Sequence, residues 1–133
     1  MLDHVKVGVA DLEAAKAYYT KALEPLGYRV VFEAEGMAYF ADAAGLDFGV
    51  GPSERPGGTH VCFRAADPAG VHAFYEAALT AGGSDNGPPG LRPEYAEDYY
   101  AAYVLDPDGN NVEAVYHGPA RRTAASVVVA PAE

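Results

Sequence analysis

HVKVGVADLEAAKAYYTKALEPLG at residues 4–27 and HVCFRAADPAGVHAFYEAALTAGG at residues 60–83 are two copies of one stretch. Set against each other at an offset of 56 without a gap, they agree at His4/His60, Val5/Val61, Ala10/Ala66, Asp11/Asp67, Ala17/Ala73, Tyr19/Tyr75, Ala22/Ala78, Leu23/Leu79 and Gly27/Gly83. Nine identities in 24 positions exceed what two unrelated amphipathic segments share, so the chain carries an internal duplication. Each copy opens on a polar histidine.

Within a copy the pattern changes from period two to helical spacing. Val5, Val7 and Val9 alternate with His4, Lys6 and Gly8, which predicts a strand with one buried face. His4 then lies on the other face. Asp11 offers an N-cap, and Leu12, Ala15, Tyr19, Ala22, Leu23 and Leu26 form an apolar stripe that Pro25 and Gly27 bring to an end. The second copy repeats this with Asp67 as cap, Pro68 at the first helical position and Val71, Phe74, Tyr75, Ala78 and Leu79 as the stripe.

Three short strands are predicted after the first helix, at 28–33, 37–41 and 46–50. After the second helix, residues 84–98 are rich in Gly and Pro and read as a long loop, of the kind that is functional or mobile. A hairpin at 99–106 and 110–117 follows, turning at Asp106-Pro107-Asp108-Gly109. It repeats the first half at an offset of 64, in Ala38/Ala102, Tyr39/Tyr103, Asp42/Asp106 and Gly45/Gly109. The fold class is therefore α+β, a βαβββ module made twice: residues 1–56 and 57–118 in one domain, with a tail at 119–133. The tail's VVV run reads as an added edge strand or a frayed end.

At 133 residues the chain has the length of one domain, and its half-hydrophobic composition is that of a globular protein. The net charge is -10 with no basic cluster, which argues against binding to nucleic acid or anionic membranes. A single cysteine excludes an internal disulfide framework and suits a reducing compartment. With no leader-like start and no run of about 20 apolar residues, a cytoplasmic location is expected.

The tandem modules, HV at the first strand, HVCFR at the fifth and DPDGNNVE at the eighth together resemble the vicinal oxygen chelate superfamily of glyoxalases, extradiol dioxygenases, fosfomycin-resistance enzymes and bleomycin-resistance proteins. The resemblance covers about residues 3–118. It implies a curved, cup-like eight-stranded mixed sheet with helices outside and a divalent metal on the inner face. The usual ligand positions correspond to His4, Gly49, His60 and Glu113, and the offset of 64 independently pairs Glu113 with position 49. Glycine there leaves His4, His60 and Glu113 as the candidate metal ligands. Two imidazoles and a carboxylate suit Fe, Mn, Ni, Co or Zn with coordination positions left open.

Alternation puts His60, Cys62 and Arg64 on one face of their strand, and Glu113 with Asn111, Val115 and His117 on one face of theirs. Lys6 and Arg64 also point inward. They either attract an anionic substrate or carry their charge to the rim beside surplus acids. Tyr103 stands ten residues before Glu113, the spacing at which extradiol dioxygenases carry a substrate-assisting tyrosine, and with Glu113 is the candidate catalytic pair. Its repeat mate Tyr39 suggests packing instead, and the hairpin register leaves open whether Tyr103 or Val104 faces Glu113.

Arg92, Glu94, Tyr95, Tyr99 and Tyr100 crowd the long loop and the next strand, either as an aromatic lid with Arg92 and Tyr99 binding substrate or as packing. Cys62 reads as small filler and His117 as a base at the rim. His72 reads as a residue on the outer side of the second helix. The dioxygenases' additional histidine between the ligand histidines has no counterpart, which disfavours ring cleavage.

The function expected is a metal-dependent lyase or isomerase of glyoxalase type, stabilising an enolate or alkoxide of a small oxygen-bearing, anionic substrate. The alternatives are a metal-free cup that binds a drug or metabolite, as in bleomycin-resistance proteins, and, less favoured, an extradiol-type dioxygenase. A homodimer is expected from the relatives, and the site closes either within one chain or across two.

Overall fold

Asp11 and Asp67 do the same work at the two helix starts. Each side chain accepts from the backbone N–H three residues on, Ala14 at 2.8 Å and Gly70 at 2.7 Å, and so fixes where the helix begins. The computed structural model describes residues 2–120. In chain order the elements are β1 (Val5–Val9), α1 (Leu12–Leu23), a 3-10 turn (Glu24–Leu26), β2 (Arg29–Ala34), β3 (Met37–Ala41) and β4 (Leu46–Pro52). The second unit repeats them as β5 (His60–Arg64), α2 (Pro68–Thr80), β6 (Ser84–Leu91), β7 (Tyr100–Leu105) and β8 (Asn111–Tyr116).

The eight strands form two four-stranded mixed sheets with one topology, β1-β4-β3-β2 and β5-β8-β7-β6. In each, the first strand runs parallel to the fourth and the other pairings are antiparallel. The duplication read in the sequence is thus a duplication of fold. The expected loop at 84–98 is corrected in its first half, where SDNGPPGL makes the edge strand β6. Its pairing with β7 is interrupted at Asp85/Gly87 and Gly87/Gly90, so the Gly and Pro residues sit in an irregular edge, where the missing N–H groups cost few ladder bonds. The tail's VVV run lies outside the described residues.

One face of each sheet packs on the helices. Val7, Val9, Ala38, Phe40, Phe48 and Val50 from the first unit join Phe63, Val104, Val112 and Ala114 from the second in a single core with Tyr19, Leu23 and Phe74 of the helices. Each large apolar side chain enclosed this way contributes about 1.5–3 kcal/mol. Phe63 lies edge-on to both Phe48 and Tyr28, at 5.0 and 5.1 Å between centroids, so aromatic contact crosses from one unit to the other.

The turn before β8 ties the units by polar contacts. Buried Asp106 accepts at Oδ1 from the N–H groups of Asp108 and Asn110, and at Oδ2 from the Tyr19 hydroxyl (2.6 Å) and the Asn110 amide (2.8 Å). Asn110 also donates to the Gly8 carbonyl in β1 and accepts from the Thr59 N–H just before β5. The core leaves the other face of each sheet open, and the candidate site lies on the second of these.

Candidate functional site

Register builds the site. Cys62 of β5 pairs with Glu113 of β8, Glu113 with Tyr103 of β7, and Tyr103 with Gly87 of β6, one row across the second sheet. Paired residues share a face, so Tyr103 and not Val104 stands beside Glu113. Gly87 carries no side chain, and the Tyr103 ring takes that space: a Cβ on Gly87 would come within 2.9 Å of it. The Arg92 guanidinium lies 5.5 Å from the centre of the same ring, held by the carbonyls of Pro88 and Leu91.

Glu113 is the focus. His60 Nε2 lies 2.8 Å from Oε2, and the Tyr99 hydroxyl donates to Oε1 at 2.5 Å. The carboxylate is 3% exposed and its imidazole partner 54%, so the pair is anchored in the sheet and reached from solvent through His60. Tyr99 is itself flanked by the rings of Tyr95 and His117, at 5.2 and 5.0 Å.

The acids around Glu113 hold their protons. Desolvation first and the Glu113 charge second push the Tyr103 phenol up to about 12. Tyr99 is raised by desolvation and then by its bond to Glu113, and Cys62 by desolvation and then by the Glu113 charge. At neutral pH two phenols and a thiol therefore surround the carboxylate as neutral groups able to donate hydrogen bonds. Such a site can hold or pass a proton and can orient an oxygen-bearing ligand.

Of the residues singled out in the sequence, the structure brings together His60, Glu113, Tyr99, Tyr103 and Arg92, along with Tyr95 and His117. His4 is elsewhere. It precedes β1, is exposed, and has its Nδ1 2.7 Å from the Asp3 carboxylate. Lys6 lies on the open face of the first sheet, across Gly51. Arg64, at the end of β5, donates to the Ala120 carbonyl. Among the described residues no three or more His, Cys, Asp or Glu side chains gather where they could hold one metal ion. One chain thus supplies two of the three expected ligands in contact.

Three features went beyond the sequence reading. Cys62 is a wall of the site beside Glu113. Tyr99 is bonded to the carboxylate. Gly87 makes the space for Tyr103. The repeat carried a signal for the last, because residues 28–33 moved by 56 fall on 84–89 and predict β6. His72 sits on the outer side of α2 as expected, with Nε2 2.7 Å from the Tyr100 hydroxyl.

The family model of the glyoxalase/bleomycin resistance protein/dioxygenase superfamily matches residues 1–114. The chain belongs to that superfamily. Among solved structures, a glyoxalase/bleomycin resistance protein from Albidiferax ferrireducens T118 is 35% identical, with a TM-score of 0.74 over 85% of this chain and 95% of that one. A glyoxalase-related enzyme from Fulvimarina pelagi, 20% identical, superposes with a TM-score of 0.73 over 99% of both chains and shows the fold. So does the fosfomycin resistance protein FosX from Mesorhizobium loti, 19% identical with a TM-score of 0.64 over 86% of this chain and 90% of that one. No curated protein matches the sequence. In this superfamily member, no helix among the described residues is long and apolar enough to cross a membrane.

Proposed function

We propose that the protein is a divalent-metal-dependent lyase or isomerase of glyoxalase type, working on a small anionic molecule with neighbouring oxygens. The observation that carries this reading is the contact of His60 Nε2 with the enclosed carboxylate of Glu113, on an open face and in one row with Tyr103. An imidazole and a carboxylate in contact are two thirds of a facial ligand set for a first-row metal. His4 of a second copy is the natural third ligand, which makes the working unit a homodimer. A metal bound there would supply Lewis-acid polarisation of the substrate's oxygens.

The chain's own residues then have separate tasks. His60 and Glu113 hold the ion. Tyr99 fixes the carboxylate by its hydroxyl, and its ring, with Tyr95 and His117, excludes water from one side. The protonated phenol of Tyr103 donates to a substrate oxygen, and Arg92 attracts the substrate's negative charge. Arg64 and Lys6 act on the substrate's charge through the field at the rim.

A second reading, a metal-free cup for an organic ligand, is favoured by the engagement of both Glu113 oxygens with protein groups. Elemental analysis of untagged protein separates the two. The metal reading expects a stoichiometric divalent ion that is lost in His60→Ala and Glu113→Gln. Wild-type protein that takes up no metal on equilibration with Fe, Mn, Ni, Co or Zn sinks it.

A further inference from the structure

Asn86 and Asn111 form an amide pair that neither the fold nor the proposed chemistry accounts for. Asn111 lies opposite His60 in the register of β5 and β8 and two residues before Glu113, so its side chain shares the open face with both. Asn86 Nδ2 donates to Asn111 Oδ1 at 3.2 Å, reaching across β7 from the edge strand. Asn86 is exposed and Asn111 half-buried, so a ligand on this face can meet the pair.

A bulge brings Asn86 there. The pairing of β6 with β7 shifts between Asp85 and Gly87, which makes Asn86 the extra residue. β2 is bulged at the same place, between Val30 and Phe32, and its extra residue is Val31. The residue after the bulge is Phe32, stacked on Tyr39, in the first unit and Gly87, beside Tyr103, in the second. An apolar side chain thus serves the same bulge, so the edge does not need an amide to take this shape.

The pair also leaves polar groups unused. Each amide has one carbonyl and one NH2, and their single bond engages one of each. Asn111 keeps its NH2 and Asn86 its carbonyl without a partner among the described residues, and no charged side chain there bonds to either amide. An uncharged donor beside an uncharged acceptor matches a carboxamide, whose C=O accepts from the NH2 and whose N–H donates to the carbonyl. A carboxylate brings acceptors only, and an alkyl group brings nothing.

We infer that Asn86 and Asn111 set the specificity of the site by selecting a substrate with a carboxamide beyond its two chelating oxygens. The assignment rests on the metal reading of His60 and Glu113 and adds the substrate's far end to it. Asn111 and Glu113, two residues apart on one strand, are separated by about 6.6 Å, which leaves room for about two carbons between chelate and amide.

Calorimetric titration of the Mn-loaded protein with three 2-hydroxy acids of one length tests it. 2-Hydroxyglutaramate, which ends in the amide, is expected to bind about tenfold more tightly than 2-hydroxypentanoate or 2-hydroxyglutarate, as one or two neutral hydrogen bonds require. Asn111→Ala and Asn86→Ala are expected to abolish that preference while keeping the metal content and the affinity for 2-hydroxypentanoate, and thermal melts check that both variants fold. Wild-type protein that takes up no metal overturns the reading underneath and this one with it. Metal-loaded protein that binds none of the three, binds all three equally, or keeps its preference in both variants overturns the amide assignment alone.

Discussion

Tyr39 and Tyr103 stand at the same place in the two units, but across the sheet Tyr103 faces the carboxylate of Glu113 and Tyr39 faces Gly49. One phenol is thereby held protonated beside a negative charge, and the other is left to stack and to hydrogen-bond Met37. The same fold position is polar in one copy and apolar in the other, so the copies cannot do the same work.

Removing the hydroxyl that steadies Glu113 should separate stability from metal affinity. Tyr99→Phe is expected to cost about 1 kcal/mol of folding free energy and to weaken metal binding about tenfold, because the hydrogen bond goes to a charged group and orients a ligand. Urea midpoints and metal competition against a chelator measure the two effects. Unchanged metal affinity would leave Tyr99 a packing residue only.

A site shared between copies has a signature in mixed variants. His4→Ala and His60→Ala should each lose metal alone, yet a dimer formed from one of each retains one site with both imidazoles. Co-refolding the two is expected to restore about a quarter of the wild-type metal content, the share random pairing gives. No recovery in verified mixed dimers would show that each site is closed by a single chain.

The tyrosines predict an alkaline limit to stability. Tyr103 is raised from about 10 to about 12, and Tyr18, Tyr19 and Tyr99 are raised as well, chiefly by desolvation. The folded protein thus keeps phenolic protons that the unfolded chain gives up. Their stabilisation is complete below pH about 10 and is lost as pH rises toward 12. Phenolate absorbance and circular dichroism recorded together should show part of the tyrosine ionisation coinciding with unfolding. A single tyrosine transition with its midpoint near pH 10 and the fold intact throughout would contradict this.

Asp106→Ala is expected to be among the most damaging single changes, costing about 3 kcal/mol or more. It leaves the Tyr19 hydroxyl and the Asn110 amide without their acceptor in a buried setting. Denaturant unfolding measures it. A loss under 1 kcal/mol would mean that water replaces the carboxylate.

Most of the fold was legible because a repeat is a long-range signal that local composition cannot mask. Asp11 and Asp67 announced the helices, and the offset of 64 announced the hairpin. β6 was missed because SDNGPPGL has the composition of a loop, and only pairing with β7 makes it extended. In the site, alternation correctly set His60, Cys62 and Glu113 on one face. It could not say that Tyr103 rather than Val104 faces Glu113, since a register slip of one residue exchanges them. Nor could strand periodicity place His4, because the distance between two sheets is set by how their helices pack.

Asn110, the residue just before β8, joins two more strands with its side chain: it accepts from Thr59 at the threshold of β5 and donates to a carbonyl of β1. The two halves of the molecule therefore share a common hinge pin. A chain that began as a doubled segment is thereby bolted together by one amide as well as by its shared core. The fusion, once fastened at that amide, left each copy free to drift in chemistry while losing its freedom to depart.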